Sequence, residues 1–364
     1  MAEKENQYVV IMAGGIGSRF WPASTAEQPK QFLDIAGNGK SLLRMTFERF
    51  LPLVPTERIL VLTYERYAER VQQTLPELAS ENILREPSRN NTGPCIAYAA
   101  LHVKARDPRA SLLIAPSDHI IEKETAFIAM VRDGLDFVEK EKAILTLGMR
   151  PTRPDTGYGY IQYNNNNDRV AGQSLLFKVM KFTEKPDEKQ AKRFIASGDY
   201  VWNAGIFMFS ADTILAAFKE AAPEIYEPLT QRMEVYGTEK EADFLEEVYP
   251  GTPNISVDYA IMENVNYIYT LPAQIGWSDL GTWGSVYERT EKDEDGVVVQ
   301  HEGEHLIEEC QRSLLRVPKE KKVLIRGLED YIVVDTPDAL LIYPMKEEQR
   351  IKQDRQQLLS KGED

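Results

Sequence analysis

Up to about residue 285, short apolar runs rich in β-branched residues alternate with stretches whose apolar positions return at helical spacing. YVVIMA (8–13), RILVLT (58–63), ILREP (83–87) and SLLIAP (111–116) read as strands. The stretch from Ser41, YERYAERVQQTL (64–75), CIAYAALHVKA (95–105) and a segment ending near Lys142 read as helices. Such alternation predicts βαβ crossovers, and therefore an α/β fold with a largely parallel sheet covered by helices on both faces. Ligands on such sheets bind at the carboxyl ends of the strands. Chemistry is therefore expected in the loops at 14–31, 86–94 and 116–119, which follow the first, third and fourth strands.

Past residue 285 the pattern changes. Residues 288–309 hold nine acids and two bases, a local net charge of −7 that reads as a solvated boundary. After it come only short strand-like pieces, SLLRV (313–317), KVLIRGL (322–328), YIVVD (331–335) and ALLIY (339–343), broken by turns at Pro318, Gly327 and Pro337. Two domains are expected, 1–285 and a small β domain over 286–364. In the charged tail from Lys346, Ile351, Leu358 and Leu359 recur at helical spacing and predict a docking helix. Asn164 to Asn167 reads as an exposed turn.

The 364 residues carry 43 Lys plus Arg against 57 Asp plus Glu, a net charge of −14 that argues against a nucleic-acid or anionic-membrane partner. With 43% apolar and 27% charged residues the chain is of ordinary globular composition. The longest apolar run, Cys95 to Leu101, is too short to span a bilayer, and the N-terminus lacks the pattern of a signal peptide, so a cytoplasmic location is expected. Cys95 and Cys310 form neither a disulfide framework nor a metal knuckle.

The segment Ala13-Gly14-Gly15-Ile16-Gly17-Ser18-Arg19 directly follows a strand, and its glycines let backbone N–H groups turn toward a phosphate. It is not a Walker A loop, and Phe20 stands where a dinucleotide fingerprint needs its third glycine. Arg19 and Lys30 add fixed positive charge, the first able to clamp phosphate bidentately and the second a point charge.

With these residues in view, GGIGSRFWPASTAEQPKQF (14–32) closely resembles the signature of the sugar-1-phosphate nucleotidyltransferases. Its Pro29-Lys30-Gln31-Phe32 ending is similar to the branch that handles GTP and mannose 1-phosphate. EPSRNNTGP (86–94), APSDH (115–119), TGYGYI (156–161), FTEKP (182–186), WNAGIF (202–207), SVDYAIME (256–263) and GWSDLGTW (276–283) resemble the later blocks of that family, in its order. Thr183 departs from the β-branched Val more usual before the Glu of the FTEKP block.

The resemblance implies a Rossmann-like nucleotidyltransferase domain with a mixed, mostly parallel sheet, followed by a left-handed β-helix segment. It implies transfer of GMP from GTP to α-D-mannose 1-phosphate, releasing diphosphate. Gly14, Gly15, Gly17, Arg19 and Lys30 would hold the triphosphate, and Asp118 and Asp279 would hold Mg²⁺, which suits one or two carboxylates plus substrate oxygens. Lys185 would meet the sugar phosphate, with Glu184, Asn203, Asp258 and Gly157 around the sugar and Gly159 beside it. At the base end Glu86 could accept from the N1–H and amino group of guanine, with Asn91 and Thr92 nearby in sequence. A homodimer through the C-terminal region is the expected assembly.

Other readings remain at this point. Glucose 1-phosphate with dTTP or ATP is the nearest substitute pair. His301-Glu302-Gly303-Glu304-His305 satisfies H-E-x-x-H, although the zinc-peptidase chemistry of that pattern requires a helix, and the preceding valines and the central glycine disfavour one. Retention of Arg19, Lys30, Asp118, Lys185 and Asp279 argues against a non-catalytic regulatory subunit. About half of the −14 lies in 288–309, whereas 14–30 carries a net +1, so bulk acidity is compatible with a small pocket for phosphorylated substrates.

Overall fold

The computed structural model describes residues 5–360, which divide into two compact units. The larger comprises the chain up to Gly14, Phe47–Ser117 and Ile121–Trp277. Its nine strands are β1 (Gln7–Met12), β2 (Ile59–Tyr64), β3 (Ile83–Glu86), β4 (Ser111–Pro116), β5 (Ile144–Met149), β6 (Tyr160–Ala171), β7 (Ser174–Thr183), β8 (Tyr200–Ser210) and β9 (Ile268–Ala273). They form one sheet in the order β3-β2-β1-β4-β8-β5-β9-β7-β6. Only β7 and β8 run against the others, so the sheet is mixed and mostly parallel.

The reason is visible in the composition of the strands. Val9 to Ile11, Leu60 to Leu62 and Leu112 to Ile114 are buried without alternation, as strands covered on both faces must be. The helix Thr92–Arg106 is buried from Gly93 to Val103 and packs against the helix Ala211–Ala221. Gly93 admits the carbonyl of Ile255, which would lie 2.8 Å from a Cβ there. Asn164 to Asn167 do not form the expected turn between elements. They lie within β6, where the register against β7 slips between Asn164 and Asp168, and Asn166 N–H donates to Asn164 Oδ1 at 2.9 Å. The extra residues are taken up as a bulge, so the strand continues beyond them.

The smaller unit comprises Gly15–Thr46, Asp118–Ile120 and Ser278 onward. Its C-terminal part is a stack of short parallel rungs: β10 (Val298–Gln300), β12 (Leu314–Arg316) and β14 (Tyr331–Asp335) in one ladder, and β11 (His305–Glu308) with β13 (Val323–Arg326) in another. β15 (Leu340–Pro344) closes the first ladder antiparallel to β14. Val298, Leu314 and Ile332 fall in register and make the spine of its core. The expected boundary near 285 is corrected in composition: Phe20, Leu33, Ile35 and Leu42 share this core with Leu280, Trp283 and Val334. A segment far upstream thus belongs to the same unit as the C-terminal strands, joined by apolar packing that no linear boundary describes. The helix expected in the tail is present as Ile351–Ser360, with Ile351 2% exposed in that core. Among the described residues no helix is long and apolar enough to cross a membrane.

Candidate active site

From Gly15 onward the glycine loop lies in the smaller unit and is organised around Lys30. Gly17 has a left-handed backbone, φ 72°, and a Cβ there would sit 2.4 Å from Lys30 Cβ, so this turn requires glycine. Lys30 N–H donates to the Ile16 carbonyl at 3.1 Å, closing the loop on itself. Lys30 is 4% exposed. Its Nζ donates to Asp118 Oδ2 at 2.9 Å and to the Asp279 carbonyl at 2.7 Å, and lies 5.3 Å from the centre of the Phe20 ring. Burial alone would raise the Asp118 carboxyl, but Lys30 and His119 outweigh it and hold the group below the usual carboxylate range. Asp279 Oδ1 accepts from Gly281 N–H at 3.0 Å. These side chains line a cavity of about 280 Å³, together with Arg19, Ser18 and Lys352.

Two carboxylates on one polar cavity fit a divalent cation completed by substrate oxygens and water. Among the described residues no three His, Cys, Asp or Glu side chains cluster as a self-sufficient metal centre.

In the larger unit a second group surrounds Asn203, on β8. Asn203 N–H donates to the Gly159 carbonyl at 2.8 Å, its Nδ2 donates to Asp258 Oδ1 at 2.7 Å, and its Oδ1 accepts from Gly205 N–H at 3.0 Å. A Cβ at Gly159 would lie 2.6 Å from Glu184 Oε2. Glu184, Asn203 and Asp258 are thereby brought together. Burial first, and the Glu184 charge second, push the Asp258 carboxyl up to about 6, against the Asn203 hydrogen bond. Lys185, beside them in sequence, has a left-handed backbone at φ 42° and pairs with the Glu184 carboxylate. The local fold follows from β7 ending at Thr183 and the next helix starting at the capping box of Asp187 and Gln190. Gly157 stands apart from this group: its N–H donates to Asp155 Oδ1 at 2.8 Å in an exposed turn, and Gly159 is the glycine that meets Glu184.

Glu86 ends β3 and is 7% exposed. Tyr249 O–H donates to its Oε1, and a Cβ at Gly14 would lie 3.7 Å from its Oε2. Desolvation pushes its carboxyl up to about 7, although the Tyr249 hydroxyl and Arg89 both pull it down. Asn91 and Thr92, expected beside it, have their side chains committed to the fold. Asn91, at φ 68°, caps the helix Thr92–Arg106 by accepting from Thr92 N–H at 2.9 Å, and Thr92 Oγ1 accepts from Val257 N–H at 2.9 Å. Tyr249 and Lys352 were not singled out from the sequence. A tyrosine after a helix and a lysine in a charged tail carry no local signal.

The H-E-x-x-H segment is not helical. It connects β10 to β11, with His301 Nδ1 3.1 Å from the Val317 carbonyl and His305 Nδ1 3.0 Å from the Gly303 carbonyl. The shared helical face that zinc-peptidase chemistry needs is missing.

With these geometries in hand, comparison with known proteins defines the class. Residues 8–296 match the nucleotidyl transferase family, and the chain belongs to it. It is 38% identical over 343 residues to a mannose-1-phosphate guanylyltransferase of Salmonella montevideo, covering 92% of this chain and 70% of that protein. It is 35% identical over 369 residues to a mannose-1-phosphate guanylyltransferase of Escherichia coli K12, covering 98% and 74% respectively. Among solved structures, one named as mannose-1-phosphate geranyltransferase from Thermus thermophilus superposes with a TM-score of 0.83 at 30% identity, covering 97% of this chain and 99% of that one. Nucleotidyl transferases of this family generally work with a divalent metal.

Proposed function

We propose that this chain is a cytoplasmic mannose-1-phosphate guanylyltransferase, converting GTP and α-D-mannose 1-phosphate to GDP-mannose and diphosphate. The observation that carries the reading is one cavity lined by Arg19, Lys30, Asp118 and Asp279, in which Lys30 Nζ donates to the Asp118 carboxylate and to the Asp279 carbonyl. The names of the curated relatives support the choice of sugar and base.

An oxygen of the sugar phosphate attacks the α-phosphorus, the bond to the bridging oxygen breaks, and diphosphate leaves with the electron pair. Such a transfer needs positioning and charge neutralisation rather than a protein nucleophile. Arg19 and Lys30 offset the charge growing on the departing phosphates, with the backbone at Gly14, Gly15 and Gly17 leaving room for them. Asp118 and Asp279 would hold Mg²⁺, which supplies further neutralisation of the triphosphate. Lys185 orients the attacking phosphate, and Glu184, Asn203 and Asp258 take the sugar hydroxyls. Glu86 accepts from guanine N1–H and the amino group, a donor pair that adenine lacks.

The same reading includes a homodimer through the C-terminal region. Leu306 and Leu324 are exposed and paired in register across β11 and β13, and Leu340 and Ile342 are exposed on β15. Sedimentation of the wild type and of a Leu306→Glu/Leu324→Glu variant checks this: a dimer that becomes a monomer supports it, and a wild-type monomer ends it.

One matrix of GTP, ATP and dTTP against mannose 1-phosphate and glucose 1-phosphate tests the function. Diphosphate release is expected with GTP and mannose 1-phosphate, and its loss on chelation is expected to be reversed by Mg²⁺. Preference for glucose 1-phosphate with dTTP or ATP would overturn the specificity. Full turnover by Asp118→Ala or Asp279→Ala would overturn the metal assignment.

A further inference from the structure

The cavity around Lys30 has a wall contributed by the far end of the chain. Lys352 lies in the helix Ile351–Ser360 and lines the same 280 Å³ space as Arg19, Lys30, Asp118 and Asp279. Nothing in the motif blocks reaches this residue, which follows the last matched block by about seventy positions.

The helix is held in register at several points. Ile351, immediately before Lys352, is buried with Phe20, Leu280 and Trp283. One turn earlier, the Glu348 carboxylate accepts from the backbone N–H of Gly284, at the start of the helix Trp283–Arg289. A Cβ at Gly284 would stand 2.8 Å from both Glu348 oxygens, so the glycine is what lets the carboxylate seat there. On the other side, Tyr343 O–H donates to Asp354, and Arg350 lies 3.9 Å from Asp354 Oδ1. Placement of residue 352 is thus fixed by apolar burial and a helix-terminus contact.

The charges in the cavity are unequally committed. Lys30 is spent on Asp118 and on the Asp279 carbonyl. Lys352 is exposed and, among the described residues, makes no ion pair or hydrogen bond through its ammonium. An ammonium held at the edge of a polar cavity, without a carboxylate of its own, has its electrostatic partner still to come. Phosphate oxygens supply that charge.

We propose that Lys352 is a triphosphate-binding residue, taking the terminal phosphates of the nucleotide and the diphosphate product, and that the C-terminal helix is part of the substrate site. The inference rests on the nucleotidyl transfer assigned above and adds a binding residue that the glycine loop does not contain. It also makes the tail a contributor to substrate affinity rather than a packing element alone.

The test compares Lys352→Met and Lys352→Arg with the wild type as full-length proteins. For the Met variant the KM for GTP is expected to rise about tenfold, the loss of one charge-assisted contact. Affinity for inorganic diphosphate, titrated calorimetrically in the presence of Mg²⁺, is expected to fall by a similar factor. The KM for mannose 1-phosphate and the urea midpoint should stay at their wild-type values, and the Arg variant should recover most of the loss. A purely structural role would move both KM values and the urea midpoint together, and that result would overturn the proposal. So would an unchanged KM for GTP with an unchanged diphosphate affinity. Diphosphate binding does not depend on the identity of sugar or base. If the wild type fails to use GTP with mannose 1-phosphate, the functional reading falls, and Lys352 is decided by the titration alone.

Discussion

Replacing Glu86 by Gln keeps the size of the side chain and an acceptor for the Tyr249 hydroxyl, but removes a buried group that titrates. Burial raises this carboxyl from 4.5 to about 7. A carboxyl with a raised folded pKa holds its proton more tightly in the folded state. The protonated form therefore favours the fold fully below 4.5, and stability is lost as the pH rises from there through about 7. At 1.36 kcal/mol per unit the gap amounts to about 3 kcal/mol, of which about 2 kcal/mol is lost between roughly pH 5.5 and 8.5. Glutamine has no such dependence. Relative to wild type, Glu86→Gln should gain about 2 kcal/mol over that interval, measured by urea denaturation at both pH values. Function should move the opposite way. An amide presents one acceptor and one donor to guanine, so the KM for GTP should rise roughly ten- to a hundredfold. The wild-type KM for GTP should itself rise as the pH falls below about 7, and that of the variant should stay level. Parallel stability profiles for the two proteins, differing by less than about 0.5 kcal/mol between the two pH values, would refute the electrostatic reasoning.

The glycine loop and the group around Asn203 give further expectations. Lys30→Met should lower kcat by at least about a hundredfold, since it removes a preorganised positive charge and the lysine partner of Asp118; steady-state diphosphate release checks it. Gly159→Ala should raise the KM for mannose 1-phosphate while leaving that for GTP near its wild-type value, because its methyl group meets Glu184 Oε2 at 2.6 Å; kinetics with each substrate varied in turn will read this. His301→Ala/His305→Ala should keep turnover within about twofold, and elemental analysis of the wild type should find no stoichiometric zinc, as the two residues flank a turn between strands.

How far the fold could be read from the chain differs with the range of the interactions. β1, β2 and β4 are unbroken apolar runs whose burial on both faces is written in their own residues. The loops after β1 and β4 hold Lys30 and Asp118, and Glu86 is the last residue of β3, because strand ends are where side chains escape the pleat. Glycine pattern alone could not separate Gly157 from Gly159, since only the approach of Glu184 across the fold distinguishes them. Asn91 and Thr92 are polar residues at a loop end, which suit a nucleotide and a structural role equally well; Asn91 caps the helix and Thr92 Oγ1 accepts from Val257 N–H. The membership of Phe20, Leu33 and Ile35 in the core of the smaller unit was beyond reach for a different reason. Their partners lie hundreds of residues downstream, and packing between such positions leaves no periodic trace. Lys352 and Tyr249 belong to the same case, each brought to its site by burial of neighbours rather than by a motif.

The joining of Phe20, Leu33 and Ile35 to Val298, Leu314 and Ile332 in one core also orders events on the ribosome. The glycine loop is synthesised about 280 residues before the apolar surface that its flank packs against. At about 5–20 residues per second, tens of seconds separate the two during translation. Through that interval the sheet of the larger unit can assemble, while the loop bearing Arg19 and Lys30 waits without its core. A nascent chain is therefore expected to fold its scaffold well before the glycine loop is held in place, and prematurely terminated chains should be folded in part and catalytically silent.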